Sequence, residues 1–255
     1  MQKYVFLLSS VLLNVLFIVK KLSISTFRST FELKIAKMKY TTCIFDLDGT
    51  LLNTLDDLAN STNYALRLHS MQERTREEVR RFVGNGVKKL IERAVPAGTT
   101  EEETQQVLAD FRSHYLEHDK DTTRPYDGIL EMLERIKNRG IRTAVVSNKF
   151  FKATESLCSH FFGSLIDVAI GEKEAAGIRK KPSPDTVREA IRQLEVETSD
   201  CVYIGDSDVD VMTAKNSGMD CISVLWGFRD EDFLRERGAT KTVRTPSELT
   251  TLLLG

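Results

Sequence analysis

The stretch Cys43-Ile44-Phe45-Asp46-Leu47-Asp48-Gly49-Thr50-Leu51-Leu52 decides the fold. Its first three residues are a short apolar run suited to a buried strand, and the run stops on two carboxylates, a glycine and a threonine. Burying a carboxylate costs free energy unless a cation or hydrogen-bond donors hold it, so acidic residues at the mouth of a strand need a reason. Phosphate chemistry supplies one; a solvated acidic turn is the plainer reading. Two later segments favour the first. Lys181-Pro182-Ser183-Pro184-Asp185 stands before a helical pattern, and Tyr203-Ile204-Gly205-Asp206-Ser207-Asp208-Val209-Asp210 closes another apolar run on clustered carboxylates.

Immediately after Thr50 the pattern becomes helical, with Leu51, Leu55, Leu58, Ala59, Thr62 and Leu66 at three- and four-residue spacing. Three further amphipathic segments follow near 75–83, 87–95 and 100–118, broken by Gly84-Asn85-Gly86 and Pro96-Ala97-Gly98. From Tyr126 onward helices at 128–138, 150–160, 184–194 and 209–217 alternate with strands at 143–146, 166–170, 201–204 and 221–225. Repeated β-α units build a parallel sheet covered by helices on both faces. The chain therefore reads as α/β, a doubly wound parallel sheet of Rossmann-like type with an inserted α-helical cap. Residues 39–53 and 124–255 form the core and 54–123 the cap. Ligands of such sheets bind beyond the carboxyl ends of the strands, and Asp46, Ser147 and Asp206 each stand at one of those ends.

Composition narrows the function. The chain has 255 residues, of which 41% are hydrophobic, enough for a full core. Its net charge of −1 hides an asymmetry: residues 1–39 carry seven lysines and arginines against Glu32, or +6, which leaves −7 for the rest. Such an acidic body lacks the basic footprint that nucleic acid requires. Cys43, Cys158, Cys201 and Cys221 have no Cys-x-x-Cys spacing and read as reduced core residues of a cytoplasmic protein. His69, His114, His118 and His160 read as surface residues rather than metal ligands. Nothing specifies an oligomeric state.

Residues 4–19 are almost wholly apolar and precede Lys20-Lys21. A spanning helix usually needs about 20 apolar residues, and Ser9, Ser10 and Asn14 interrupt this run. A cleaved signal would want small residues of the Ala-x-Ala kind, absent at residues 22–26. The favoured reading is that translation starts at Met38, since Met38-Lys39-Tyr40 leads directly into the first strand, so that within the extension of residues 1–38 everything before Met38 is not translated. The alternative is a membrane anchor through residues 4–19, with Lys20 and Lys21 holding the body on the cytoplasmic side.

Taken in order and spacing, Asp46-Leu47-Asp48-Gly49-Thr50, Ser147-Asn148, Lys181 and Gly205-Asp206 with Asp210 resemble the four motifs of the haloacid dehalogenase superfamily. The resemblance covers residues 40 to about 250 and extends to the subclass with a helical cap. Pro125-Tyr126-Asp127-Gly128, Ser147-Asn148-Lys149 and Leu225-Trp226-Gly227 are most similar to phosphoglycolate phosphatases within it. The resemblance implies Asp46 as nucleophile, with an aspartyl-phosphate intermediate, and Asp48 as general acid and base. It implies a Mg²⁺ cofactor held by Asp46, the backbone carbonyl of Asp48, and Asp206. Lys181, Ser147 and Asn148 would hold the transferring phosphoryl group, Gly49 and Thr50 would shape the first loop, and Asp210 would support the metal shell or Lys181. For Asp210 a plain helix-start carboxylate stands as the other reading.

The cap would choose the substrate, a small phosphorylated metabolite. Gly84, Asn85 and Gly86 are candidates for an anion nest, and Lys88, Lys89 or Arg93 for a substrate carboxylate; an ordinary helix-breaking turn and a solvated basic face compete with these readings. Related phosphomutases carry a histidine four residues after the threonine matching Thr54, where this chain has Leu58. That favours water as the phosphoryl acceptor. The expectation is a Mg²⁺-dependent phosphomonoester hydrolase acting on 2-phosphoglycolate or a similar metabolite. A sugar phosphomutase, a pyrophosphatase and a non-catalytic binding protein are the alternatives.

Overall fold

The computed structural model describes residues 39–255, so the readings for residues 1–38, start site and membrane anchor alike, lie outside the described residues. Among the described residues no helix is long and apolar enough to cross a membrane.

Strand β1 (Thr42–Phe45) is central because its four residues are fully buried on both faces, the pattern of a parallel strand sandwiched between helices. It pairs in parallel with β4 (Arg142–Phe150) on one side and β6 (Cys201–Gly205) on the other. With β5 (Val168–Glu172), β7 (Asp220–Val224) and β8 (Thr242–Val243), the sheet order is β5-β4-β1-β6-β7-β8. The chain thus builds outward from β1 to β5, then returns past β1 and builds to the other edge. This reversal opens a crevice at the carboxyl ends of β1 and its neighbours. Asp46 directly follows β1 and Asp206 directly follows β6, so topology alone brings them together.

Between β2 (Leu52–Asn53) and β3 (Arg124–Pro125), which pair antiparallel, lie four helices: α1 (Leu55–Leu68), α2 (Arg76–Phe82), α3 (Val87–Ala94) and α4 (Glu101–His118). Thr75 with Glu78 and Thr100 with Glu103 form capping boxes that start α2 and α4. The four helices bury one continuous apolar cluster, including Leu58, Leu66, Val79, Ile91, Phe111 and Tyr115. Ala153 and Phe228, from outside the segment, belong to the same cluster, and Tyr40–Leu254 forms one compact unit. The buried Asp57 of α1 accepts from the backbone N–H groups of Thr122 and Thr123, tying the start of the helical segment to its exit.

The remaining helices are α5 (Ile129–Asn138), α6 (Phe151–Phe161), α7 (Asp185–Leu194), α8 (Asp208–Ser217), α9 (Glu231–Glu236) and α10 (Pro246–Leu254). On one face of the sheet, Val187, Ala190 and Leu194 of α7 pack on Ile44, Val146, Ile170 and Tyr203. The six-stranded sheet is parallel and doubly wound, as the alternation of helices and strands predicts. One difference affects the site: β4 does not end at Val146 but runs on through Ser147, Asn148 and Lys149, with a register shift against β5. That irregularity frees the site residues from regular pairing.

Candidate active site

Two carboxylates at strand ends, Asp46 and Asp206, and a third in the first turn of α8, Asp210, form the floor of the site. Asp46, Asp206 and Asp210 each offer an oxygen within 4.8 Å of the others, and all three are buried. Lys181 reaches this group from the loop before α7, its ammonium 2.8 Å from an oxygen of Asp46 and 2.8 Å from one of Asp210. Lys180, its neighbour, pairs instead with Glu174 on the surface. One ammonium among three carboxylates leaves two negative charges, the charge that one divalent cation carries. Burial, then Asp210, push Asp46 well above the ordinary carboxylate range despite the opposing pull of Lys181. Asp206 is pushed up to about 7, by burial first and then by Asp210. Burial disfavours the Lys181 ammonium, but Asp210 and Asp46 outweigh it and hold the lysine well above its usual value.

Lone-pair accounting separates the three carboxylates. Asp210 accepts from Lys181 and from the Tyr203 hydroxyl on Oδ1, and from the Ser207 N–H and hydroxyl on Oδ2, which fills both oxygens. It is at once the third residue of a Ser207 capping box and the partner of Lys181. Asp206 accepts one bond from the Thr50 hydroxyl (3.1 Å) and one from the Phe228 N–H (2.7 Å), with lone pairs left on each oxygen. Oδ1 of Asp46 accepts from Lys181 and from the Leu47 N–H, while Oδ2 has no partner among the described residues. Asp46 and Asp206 therefore have room to bind a cation, and Asp210 does not. Their hard oxygens suit Mg²⁺ or a similar ion. Glycines make the crowding possible: a Cβ on Gly49, where φ is +85°, would lie 2.4 Å from an Asp206 oxygen, and one on Gly227 would lie 2.4 Å from the Gly49 carbonyl.

Asp48 faces the same crevice but belongs to a different network. Its carboxylate accepts from Lys149 Nζ at 2.9 and 3.1 Å and from the Thr54 hydroxyl at 2.7 Å. Lys149 is buried and lies over the Tyr115 ring of α4, 4.5 Å from its centroid. Burial works against its charge, and Asp48 overcomes that and raises its pKa. Sequence reasoning gave Lys149 no role, although it stands two residues beyond Ser147 on one strand, the spacing that places both on one face. Ser147 accepts from the Lys149 N–H and keeps its own O–H to donate.

Three expectations change. The Asn148 carboxamide is not free to hold phosphate: it accepts from the Lys181 N–H at 2.8 Å and donates to the carbonyls of Lys181 and Gly84, fixing the Lys181 loop. Gly84 and Gly86 line the cavity, but the Asn85 side chain instead accepts from Arg93 on the outside. Lys88 does not reach the cavity, because it pairs with Glu92 and Glu101, and Lys89 likewise pairs with Glu92. The cavity measures about 40 Å³ and lies between the carboxylate floor and a roof from the helical segment. That roof is aliphatic, made by Leu58, Val83, Val87 and Leu90. Phe228 and Arg229, from the loop after β7, complete the wall; nothing in the sequence marked either.

Comparison with known proteins identifies the family. The family model described as haloacid dehalogenase-like hydrolase matches residues 43–224, more than half the chain and every floor residue named above. A phosphoglycolate phosphatase of Aquifex aeolicus is 30% identical over 211 residues, 82% of this chain and 95% of that protein. An N-acetylmuramic acid 6-phosphate phosphatase of Pseudomonas aeruginosa is 28% identical over 219 residues, 85% of this chain and 96% of its own length. A crystal structure from Lactobacillus delbrueckii subsp. bulgaricus, described as a candidate phosphoglycolate phosphatase, superposes with a TM-score of 0.80 at 37% identity. It spans 85% of this chain and 99% of that one. With paired aspartates after a central strand, a buried lysine and a second acidic strand end in the matched region, the chain belongs to the haloacid dehalogenase-like hydrolase family.

Proposed function

We propose that this chain is a Mg²⁺-dependent phosphomonoester hydrolase working through an aspartyl-phosphate on Asp46, with 2-phosphoglycolate as substrate. The observation that carries the reading is the Oδ2 of Asp46, without a partner among the described residues, beside a lysine and two other carboxylates, under a small cavity. A divalent cation bound beside Lys181 would hold Asp46 ionised despite its burial, and the carboxylate then needs no base to attack phosphorus. Asp46, Asp206 and the backbone carbonyl of Asp48 would hold the ion, which when bound offsets the excess negative charge and polarises the phosphoryl oxygens.

Asp46 Oδ2 forms a bond to phosphorus while the bond from phosphorus to the ester oxygen breaks, and Asp48 gives that oxygen a proton. Water then attacks the aspartyl-phosphate, returns a proton to Asp48 and releases phosphate. Lys149 and the Thr54 hydroxyl hold the Asp48 carboxyl at the crevice. Lys181 and the Ser147 hydroxyl steady the phosphoryl oxygens. The helical segment 54–123 serves as the cap, and its short, aliphatic roof suits a metabolite of few atoms. Leu58 on that roof offers no base to a sugar hydroxyl, which supports hydrolysis over phosphomutase chemistry. Buried thiols at Cys43, Cys158 and Cys201, all free, support a cytoplasmic enzyme.

Phosphate release from 2-phosphoglycolate, N-acetylmuramic acid 6-phosphate, pyrophosphate and sugar phosphates, with and without Mg²⁺, tests the reading. The expected result is metal-dependent release with kcat/KM for phosphoglycolate at least about tenfold above the others, on the order of 1.4 kcal/mol. Even activity across the panel would discard the substrate, and release that ignores the metal would discard the mechanism.

Asp206 also gives a pH dependence. A carboxyl with a raised folded pKa binds its proton more tightly in the fold than in the unfolded chain. Without metal, its ionisation therefore removes stability as pH rises from the ordinary carboxylate range through about 7. A cation held by that carboxylate must displace the proton, so Mg²⁺ binding strengthens as pH rises. The rise in Tm produced by Mg²⁺ is expected to be larger at about pH 8 than at about pH 5.5. A rise as large at the lower pH would take Asp206 out of the metal set.

A further inference from the structure

The cavity wall carries three cations, and they differ in what neutralises them. Lys181 pairs with Asp46 and Asp210, and Lys149 pairs with Asp48. Arg229 alone, among the described residues that line the cavity, has no carboxylate partner. Its guanidinium donates only to neutral carbonyls at the end of α2: Nη1 to Arg80 (2.9 Å), and Nη2 to Arg81 (3.3 Å) and Val83 (2.6 Å). Three of five N–H donors are used, which leaves two and a full positive charge. Lys149 and Lys181 both have carboxylate partners, Lys181 also faces the phosphoryl group, and the roof is aliphatic. An anionic group on the substrate, other than the phosphate itself, has one cation left to meet.

We propose that Arg229 is the specificity-determining residue that receives the substrate's carboxylate, in place of the Lys88 and Lys89 expected from sequence. The proposal rests on the phosphoglycolate reading and deepens it. With phosphorus held between Asp46, Lys181 and Ser147, a two-carbon acid has its carboxylate one carbon beyond the ester oxygen, against the wall that Arg229 completes. A guanidinium-to-carboxylate hydrogen bond inside a small cavity with an aliphatic roof is stronger than its counterpart in water. Arg229 also straps the 80–83 segment to the loop after β7, beside the Arg80 to Asp230 pair at 2.8 Å. A purely structural role is therefore the competing account, and the test must separate the two.

The test compares 2-phosphoglycolate with 2-hydroxyethyl phosphate, which replaces the carboxylate by a neutral alcohol of similar size. The readout is the ratio of their kcat/KM values in the wild-type enzyme, in Arg229→Gln and in Arg229→Lys. Gln keeps amide donors for the carbonyls and loses the charge; Lys keeps the charge and loses the fork. The proposal expects the wild-type ratio to exceed about ten, to fall at least about tenfold in Arg229→Gln through a rise in KM for the acid, and to be partly restored in Arg229→Lys. If both esters lose rate together and the ratio holds within about twofold, Arg229 is a strap only and the proposal fails. A wild-type ratio above ten that survives in Arg229→Gln removes Arg229 while sparing the substrate. A wild-type ratio near one removes the phosphoglycolate reading itself, and the carboxylate partner with it.

Discussion

Replacing Asp46 with Asn is expected to lower kcat by at least about 10³-fold, on the order of 4 kcal/mol of transition-state stabilisation, without loss of the fold. The carboxamide nearly matches the carboxylate in shape, but it is a poor nucleophile and contributes no charge to the metal. Stability should not suffer. Asp46 is pushed up by burial and by Asp210, so removing its charge relieves a repulsion in the metal-free protein. The expected pair of results is therefore lost turnover with a Tm equal to or above that of the wild type in the absence of Mg²⁺. A mutant keeping a tenth of the wild-type rate would remove Asp46 as nucleophile.

Replacing Lys181 with Met should be the most destabilising single change at the site. Its side chain is 1% exposed and Asp210 beside it 0%, so the substitution strands two buried carboxylates. Breaking one partner out of a buried pair costs about 3–5 kcal/mol, because the remaining charge is left without compensation. Urea unfolding should show that loss together with loss of turnover. The double variant Lys181→Met with Asp210→Asn removes both charges and should recover a large part of the stability but none of the activity. A Lys181→Met protein within about 1 kcal/mol of wild type would show that Asp210 is not held by this lysine.

These effects follow from residues that the sequence marks to different degrees. Asp46 and Asp206 were legible because each ends an apolar run, and a parallel sheet puts such ends along one edge. Lys181 was legible only through its Lys-Pro-x-Pro frame; by composition Lys180 is its equal, and contact with Asp210 separates the two. Lys88 was misassigned although a signal was present: Glu92 lies four residues on along one helix face, the spacing of a surface ion pair. The Ser207-x-x-Asp210 capping box was likewise in plain view.

Other features had no local signal at all. The family resemblance of Ser147-Asn148 implies a phosphate ligand at Asn148, yet its carboxamide closes on the Lys181 loop 33 positions away. The pairs β2 with β3 are two residues long, too short to show any period. Arg229 joins the cavity through carbonyls 146 to 149 positions earlier in the chain, and only the packing of α2 against the loop after β7 makes that contact. Patterns of period two and 3.6 report which face of an element is buried. They carry no information about which distant loop completes a wall.

The most direct test of the account is to quench turnover of 2-phosphoglycolate with acid and locate the phosphoryl group by mass spectrometry of the digested protein, with Asp46→Asn as the blank. A phosphoryl adduct is expected on the peptide containing Asp46, acid-stable and absent from the variant. Phosphate release from the wild type with no adduct on that peptide, or an adduct on another residue, would contradict it.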